Sequence, residues 1–175
     1  MVKQGTVLIN SDTKDETTFL ETSESSGGKL TKIKFLFRVG SPKPQKHIHQ
    51  VQDEKIEVIS GYFTCEYKGE KKKLGPGESI TLLKGVPHKH YNEENTDCEV
   101  LQTITPALDF EDMVVSVNQL VEQGKIVNGK PPLLEVMVWL RKYQSKIYLA
   151  GVPVGIQNGM AAVLAPIGRM LGYGG

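Results

Sequence analysis

The sequence predicts a mainly β protein, a barrel of short strands followed by a C-terminal helical extension. Between Leu30 and Thr105, short alternating apolar and polar runs are separated by turn residues about every eight to twelve positions, which is typical of a β-sandwich or barrel. After Pro106 the apolar residues recur at helical spacing instead. A chain of 175 residues can bury one core, and is short for two. We therefore assign residues 1–107 to the barrel and 108–175 to the extension, either part of the same domain or an appendage that packs between subunits.

The predicted strands each have one apolar face. Residues 29–39 (KLTKIKFLFRV) alternate so that basic residues take one face and apolar residues the other, namely Ile33, Phe35, Phe37 and Val39. Ile56 and Val58 repeat this pattern, and residues 61–67 lead into a turn-rich stretch. These faces, with Phe63, would either fill the barrel or line a pocket for a small, partly apolar ligand.

Three helices are expected in the extension. The first covers residues 111–125 with Asp109 as its cap, and the second covers residues 133–146 after two prolines. A third, around residues 155–171, should break near Pro166.

Composition gives little support for several classes of partner. Lysine and arginine number 21 against 20 acidic residues, so a net charge of +1 offers no reason to expect nucleic acid binding. Cys65 and Cys98 are expected to be buried thiols. The N-terminal segment lacks signal-peptide features, which favours a cytoplasmic location, and polar residues interrupt the apolar tail at 148–173, so no membrane span is expected.

Histidines and a glutamate suggest a metal site. His47 and His49 lie two residues apart on a predicted strand, so their imidazoles project from one face and can meet one ion. Glu54 has the wrong parity for an unbroken strand, so residues 50–53 must turn a corner to bring it to the same ion. His88, on a later strand, could supply a third imidazole. Without these partners, we would favour a pair of exposed loop histidines beside Pro44, and Glu54 could belong to a polar corner.

The spacing of these residues resembles the two sequence motifs of the cupin superfamily. The segment 47–61 (HIHQVQDEKIEVISG) has His-x-His, then Glu54 and Gly61 in register. The second motif runs from Gly77 to Asn92 through His88, with Leu83 where the family usually has proline. The resemblance covers roughly Leu30 to Pro106 and implies a double-stranded β-helix, or jelly-roll, barrel with four metal ligands: His47, His49, Glu54 and His88.

The predicted donor set suits several ions and several reactions. Nitrogen and oxygen ligands without thiolate suit one divalent transition metal, Fe(II) or Mn(II) by preference, with Ni(II), Zn(II) and Cu(II) also compatible. We expect a small-molecule, metal-dependent oxygenase of the dioxygenase type, with a metal-dependent isomerase or lyase acting on a small carbonyl compound, or a non-catalytic binding protein, as alternatives. Glu54 could also act as a base. His90 shares a face with His88, either as a polar group of the pocket or at its rim. The resemblance also implies a homodimer.

Overall fold

The computed structural model describes residues 2–126 and 130–174. Across these residues the chain forms eleven strands and three helices. The strands are β1 (Val7–Ile9), β2 (Glu16–Glu21), β3 (Thr31–Phe37), β4 (His47–His49), β5 (Asp53–Ser60), β6 (Phe63–Tyr67), β7 (Glu70–Leu74), β8 (Ser79–Leu82), β9 (His88–Tyr91), β10 (Cys98–Thr105) and β11 (Ile147–Leu149). The helices are α1 (Phe110–Glu122), α2 (Leu133–Lys142) and α3 (Val154–Met170).

Two antiparallel sheets make up the β portion. One has six strands in the order β1-β2-β3-β10-β5-β8, and the other has five in the order β11-β4-β9-β6-β7. Neighbours in each sheet include strands far apart in sequence, such as β3 with β10 and β4 with β9. The predicted mainly β fold with a C-terminal helical extension is confirmed.

The core lies on the inner faces of the two sheets. Ile33, Ile56, Val58 and Phe63 are all buried, as the alternating pattern predicted. Val39 was assigned wrongly to this face. β3 ends at Phe37, so Val39 lies in the following turn, where its side chain is 53% exposed and its backbone N–H donates to Asp97.

The helices differ from prediction at their ends. Asp109 occupies the N-cap position of α1, but its side chain makes no capping hydrogen bond and instead accepts one from Lys146. α2 ends at Lys142, four residues before the predicted end, because the chain then turns into β11. α3 continues through Pro166 without the expected break. Within the described residues, no helix is long and apolar enough to cross a membrane.

The extension packs against the barrel through a shared hydrophobic cluster. Phe110, Met113 and Tyr143 of the extension belong to the same buried cluster as Phe19 and Ile33 of the barrel. β11 adds a strand beside β4, with the residue pairs Ile147–His49, Tyr148–Ile48 and Leu149–His47. The segment therefore joins the same sheet as the strand that carries His47 and His49.

Candidate metal centre

Three strands from the two sheets bring the predicted ligands together. His47 and His49 lie at the ends of β4, and His88 begins β9 directly opposite His47. Glu54 is the second residue of β5, in the other sheet. The backbone bends at Gln50 and Val51 between β4 and β5, so the corner that the parity of Glu54 predicted is present.

The four side chains are close enough to share one ion. One ligand atom from each of His47, His49, Glu54 and His88 lies within 4.8 Å of the others. Ligands on opposite sides of an ion with bonds of about 2.1 Å are about 4.2 Å apart, so a small contraction would suffice. Glu54 Oε2 lies 3.3 Å from His88 Nε2 and 3.6 Å from His49 Nε2. These atoms converge on one point.

Backbone carbonyls fix which ring nitrogens face the cluster. His47 Nδ1 lies 2.9 Å from the Gln45 carbonyl oxygen, and His88 Nδ1 lies 2.9 Å from that of Val86. Each contact suits an Nδ1–H donor, which leaves the neutral Nε2 lone pair directed into the cluster. Metal-binding histidines commonly have their other nitrogen held in this way.

Three of the four side chains are almost sealed from water, His47 is half-buried, and the cluster contains polar atoms without partners. Exposure is 0% for Glu54, 1% for His88 and 2% for His49. Glu54 Oε2 and His88 Nε2 have no hydrogen-bond partner although both are buried. Because an unpaired buried polar atom is costly, this arrangement fits a cation that both atoms bind. The cluster can hold a divalent metal ion.

Proton affinities in the cluster also favour a cation. Burial lowers the pKa of His47 to about 3 and that of His49 to about 4, because a protonated ring would lose its hydration. Burial opposes ionisation of Glu54, but His90, His88 and His49 outweigh it and hold the pKa of the carboxyl well below its usual range. Burial lowers the pKa of His88, and the adjacent Glu54 carboxylate more than reverses that effect. At neutral pH, an ionised carboxylate therefore faces neutral His47 and His49.

Two further polar side chains contact Glu54 on its other oxygen. Gln102 Nε2 donates to Glu54 Oε1 at 2.5 Å, and His90 Nε2 lies 2.8 Å from the same atom. The His90 ring is not oriented for an aligned hydrogen bond, and neither of its nitrogens has one. Its side chain is only 13% exposed, so His90 is a polar group of the site and does not lie at a solvent-exposed rim.

Sequence reasoning missed Gln102. It occupies β10 between Val100 and Ile104, two residues away on either side, and all three are buried. The sequence did contain a sign of this contact: the inward-facing residues of β10 are otherwise apolar, and a buried amide among them requires a hydrogen-bond partner.

Residues at the turns of the two motifs have structural roles. Gly61 has φ +72°, and a Cβ there would lie 2.4 Å from the Asp97 carbonyl oxygen, so only glycine fits. Asn92 is buried and donates to the carbonyl oxygens of Thr96 and Phe37. Its side chain also accepts from the Glu94 N–H, so Asn92 holds the loop that follows β9.

An aromatic row borders the cluster on one side. The Phe35 and Phe37 rings stack at 5.5 Å, Phe37 and Phe63 at 5.0 Å, and Phe63 lies 5.5 Å from the His90 ring. Phe110 of α1 lies 5.8 Å from the His49 ring. The polar cluster is thus flanked by apolar rings from the barrel and from the extension.

Comparison with known proteins agrees with this architecture. A family model described as "Cupin domain" matches residues 34–104. Among solved structures, KdgF from Halomonas sp. is 19% identical with a TM-score of 0.52, covering 63% of this chain and 96% of that one. An RmlC-like cupin from Shewanella frigidimarina is 20% identical with a TM-score of 0.51, covering 63% and 92%. A predicted oxalate decarboxylase from Thermotoga maritima is 21% identical with a TM-score of 0.51, covering 61% and 99%.

At these identities the solved structures are similar in fold alone. A search of the curated proteins found no match for this chain. The matched segment contains all four predicted ligands and every strand that carries them. Residues 34–104 therefore match the cupin domain family, and the chain shares its fold with solved cupin structures.

Proposed function

We propose that the protein is a small-molecule, metal-dependent oxygenase of the dioxygenase type. The observation that supports this proposal most is the buried cluster of three imidazoles and one carboxylate, His47, His49, Glu54 and His88. All four histidines of the chain are at this site, the fourth being His90. Four protein ligands would leave coordination positions of a six-coordinate ion for a substrate.

The donor set favours Fe(II) or Mn(II), and Ni(II), Zn(II) or Cu(II) would also be accepted. Bound at this site, such an ion would supply Lewis acidity and, if redox-active, dioxygen activation. The chain itself would orient His47 and His88 through backbone carbonyls and hold Glu54 through Gln102. Phe63 and Phe110 would keep water from the cluster and favour a small, partly apolar substrate.

A second candidate is a metal-dependent isomerase or lyase acting on a small carbonyl compound. His90 favours it, since its Nε2 lies 2.8 Å from Glu54 Oε1 and an imidazole beside a carboxylate can accept or release a proton. Among the similar folds is the predicted oxalate decarboxylase, whose described reaction is that of a lyase. In this alternative Glu54 and His90 carry the proton transfer, and dioxygen is not consumed.

Oxygen consumption separates these candidates. Apo-protein would be loaded with Fe(II) or Mn(II) and assayed with an oxygen electrode against phenolic and diketone compounds. We expect oxygen uptake that depends on both metal and substrate. Glu54→Gln should abolish it, whereas Glu57→Gln, on the same strand with a side chain 40% exposed, should retain it. Metal content measured on each variant distinguishes loss of the ion from loss of chemistry.

Three outcomes would contradict the proposal. Turnover that proceeds at the same rate without oxygen would favour the isomerase or lyase. A compound that binds tightly and is recovered unchanged would favour a non-catalytic binding protein. Equal metal content in the wild type and in His49→Ala would remove the metal centre on which both enzymatic candidates depend.

A further inference from the structure

The outer face of α3 is apolar and has no partner in the described chain. Its exposed large side chains are spaced alternately by four and three residues: Ile156, Met160, Val163, Ile167 and Met170. At 100° per residue, these five positions lie within about 80° around the helix axis. Alternating spacings of four and three are the hydrophobic repeat of a helix that packs along another helix.

The inner face of the same helix is lined by small residues. Ala161, Ala165 and Gly168 are buried, and a Cβ at Gly168 would lie 2.8 Å from Val138 of α2. A helix that packs only against its own domain places its large apolar residues inward. In α3, Leu164 is the large apolar residue that packs inward, and the five large side chains on the outer face are not accounted for by the fold of one chain.

The five exposed side chains of α3, from Ile156 to Met170, form an apolar stripe whose area approaches that of a protein interface. Exposure ranges from 38% at Met160 to 80% at Met170, and Leu171 beside it is 65% exposed. Together these side chains expose on the order of 600 Å², at the upper end of what monomers leave to water and near the ~800 Å² that each partner contributes to a standard interface.

Charge argues for a protein partner and against a lipid surface. The one charged residue of α3 is Arg169, which lies about 140° from the centre of the stripe. A helix that lies on a membrane surface needs a face rich in lysine and arginine, which α3 lacks. A stripe without charges can be buried against an identical stripe without desolvating an ion.

We propose that α3 is a dimerisation helix that pairs antiparallel with α3 of a second copy, with a two-fold axis at Val163. The positions are nearly symmetric about this residue: Met160 and Ile156 precede it by three and seven, and Ile167 and Met170 follow it by four and seven. Antiparallel pairing brings Val163 to Val163, Met160 to Ile167 and Ile156 to Met170. It also places the two helix dipoles in opposition.

The first test is the mass of the full-length chain in solution. Wild-type protein should sediment at twice 19.3 kDa at micromolar concentration, and Val163→Glu should raise the dissociation constant by roughly 30-fold or more, the size of a central hot-spot loss. Val117→Glu, the same substitution on α1 at a site 42% exposed, should leave the dimer intact. Circular dichroism should show that all three proteins are folded.

Cross-linking tests the geometry. The native Cys65 and Cys98 are both fully buried, so a new surface cysteine can be followed alone. Val163→Cys should form a disulfide-linked dimer on oxidation. Ile156→Cys should not do so alone, but should cross-link when mixed with Met170→Cys.

Several results would overturn the proposal. These are a monomeric wild type, a dimer that Val163→Glu leaves unchanged, and self-linking by Ile156→Cys without linking in the mixture, which would indicate parallel helices. Flotation of wild type with vesicles of phosphatidylcholine and phosphatidylserine, lost in Val163→Glu, would assign the stripe to a membrane surface instead.

Discussion

Replacing Gln102 with leucine tests whether the orientation of Glu54 depends on a side chain outside the ligand set. Gln102 is 5% exposed and donates one hydrogen bond, of 2.5 Å, to Glu54 Oε1. Leucine has a similar volume and no donor, so the variant removes this hydrogen bond and leaves little void. A hydrogen bond to a charged group contributes about 1.5–3 kcal/mol. Without it, Glu54 can turn Oε2 away from His49 and His88.

The expected result is a loss of metal affinity of about 10- to 100-fold, the usual cost of removing a group that orients a ligand. Affinity would be measured by titrating apo-protein with Zn(II) or Mn(II) in competition with a chelator, which requires no knowledge of the substrate. Thr103→Val is the matched control, because Thr103 is the next residue of β10 and, being half-buried, lies on the opposite face of the strand from Gln102. An affinity for Gln102→Leu within twofold of the control would refute the role assigned to Gln102.

Three further predictions concern stability and reactivity. Gly61→Ala should lower the free energy of unfolding, measured by urea titration, by about 2 kcal/mol or more, because φ is +72° and the new Cβ would meet the Asp97 carbonyl. Gly69→Ala is the control. Its φ is +82° but nothing lies within 4 Å of the new Cβ, so it should lower the free energy of unfolding by less. Hydrogen bonds from Lys71 and Lys43 lower the pKa of Glu93 to about 2. The contribution of Glu93 to stability should therefore be present above about pH 4 and lost as the pH falls towards 2. The melting temperatures of wild type and Glu93→Gln should then differ at pH 6 and converge at pH 2. Burial raises the pKa of both Cys65 and Cys98 to about 12, so iodoacetamide at pH 8 should label neither thiol in the native protein and both after unfolding; rapid native labelling would contradict their burial.

The sequence predicted the clustering of His47, His49, Glu54 and His88 because the relevant signals were local or had fixed spacing. Two-residue periodicity placed His47 and His49 on one face, and the parity of Glu54 required the bend that the structure has between β4 and β5. Gln102 could not be assigned to Glu54 in the same way. Its contact depends on the register between β5 and β10, which pairs residues almost fifty positions apart and leaves no local trace.

The elements that were missed are short, and those that were misplaced depended on tertiary contacts. β1 and β11 have three residues each, too few to show an alternation. β2 and β7 are longer, but each has only one buried side chain, so neither shows an apolar face in the sequence. Lys146 continued the helical pattern of α2 in sequence, but its ammonium binds Asp109 and its carbonyl accepts from Gln50, so the chain leaves the helix earlier. Pro166 removes one hydrogen bond to the Ala162 carbonyl, and because both residues are exposed, water can bind that carbonyl and the helix continues.

β11 makes the geometry of two ligands depend on the far end of the chain. β4 is only three residues long, and on the side away from β9 it is held by β11, with flanking hydrogen bonds from Gln50 N–H to Lys146 and from Ala150 N–H to Lys46. Gln157 of α3 in turn anchors Leu149 through its backbone N–H and carbonyl. During synthesis, His47 and His49 therefore emerge long before the strand that fixes their spacing. Tight metal binding would then follow the synthesis and docking of the C-terminal third of the chain. A metal-loaded protein would be one in which that segment has already docked.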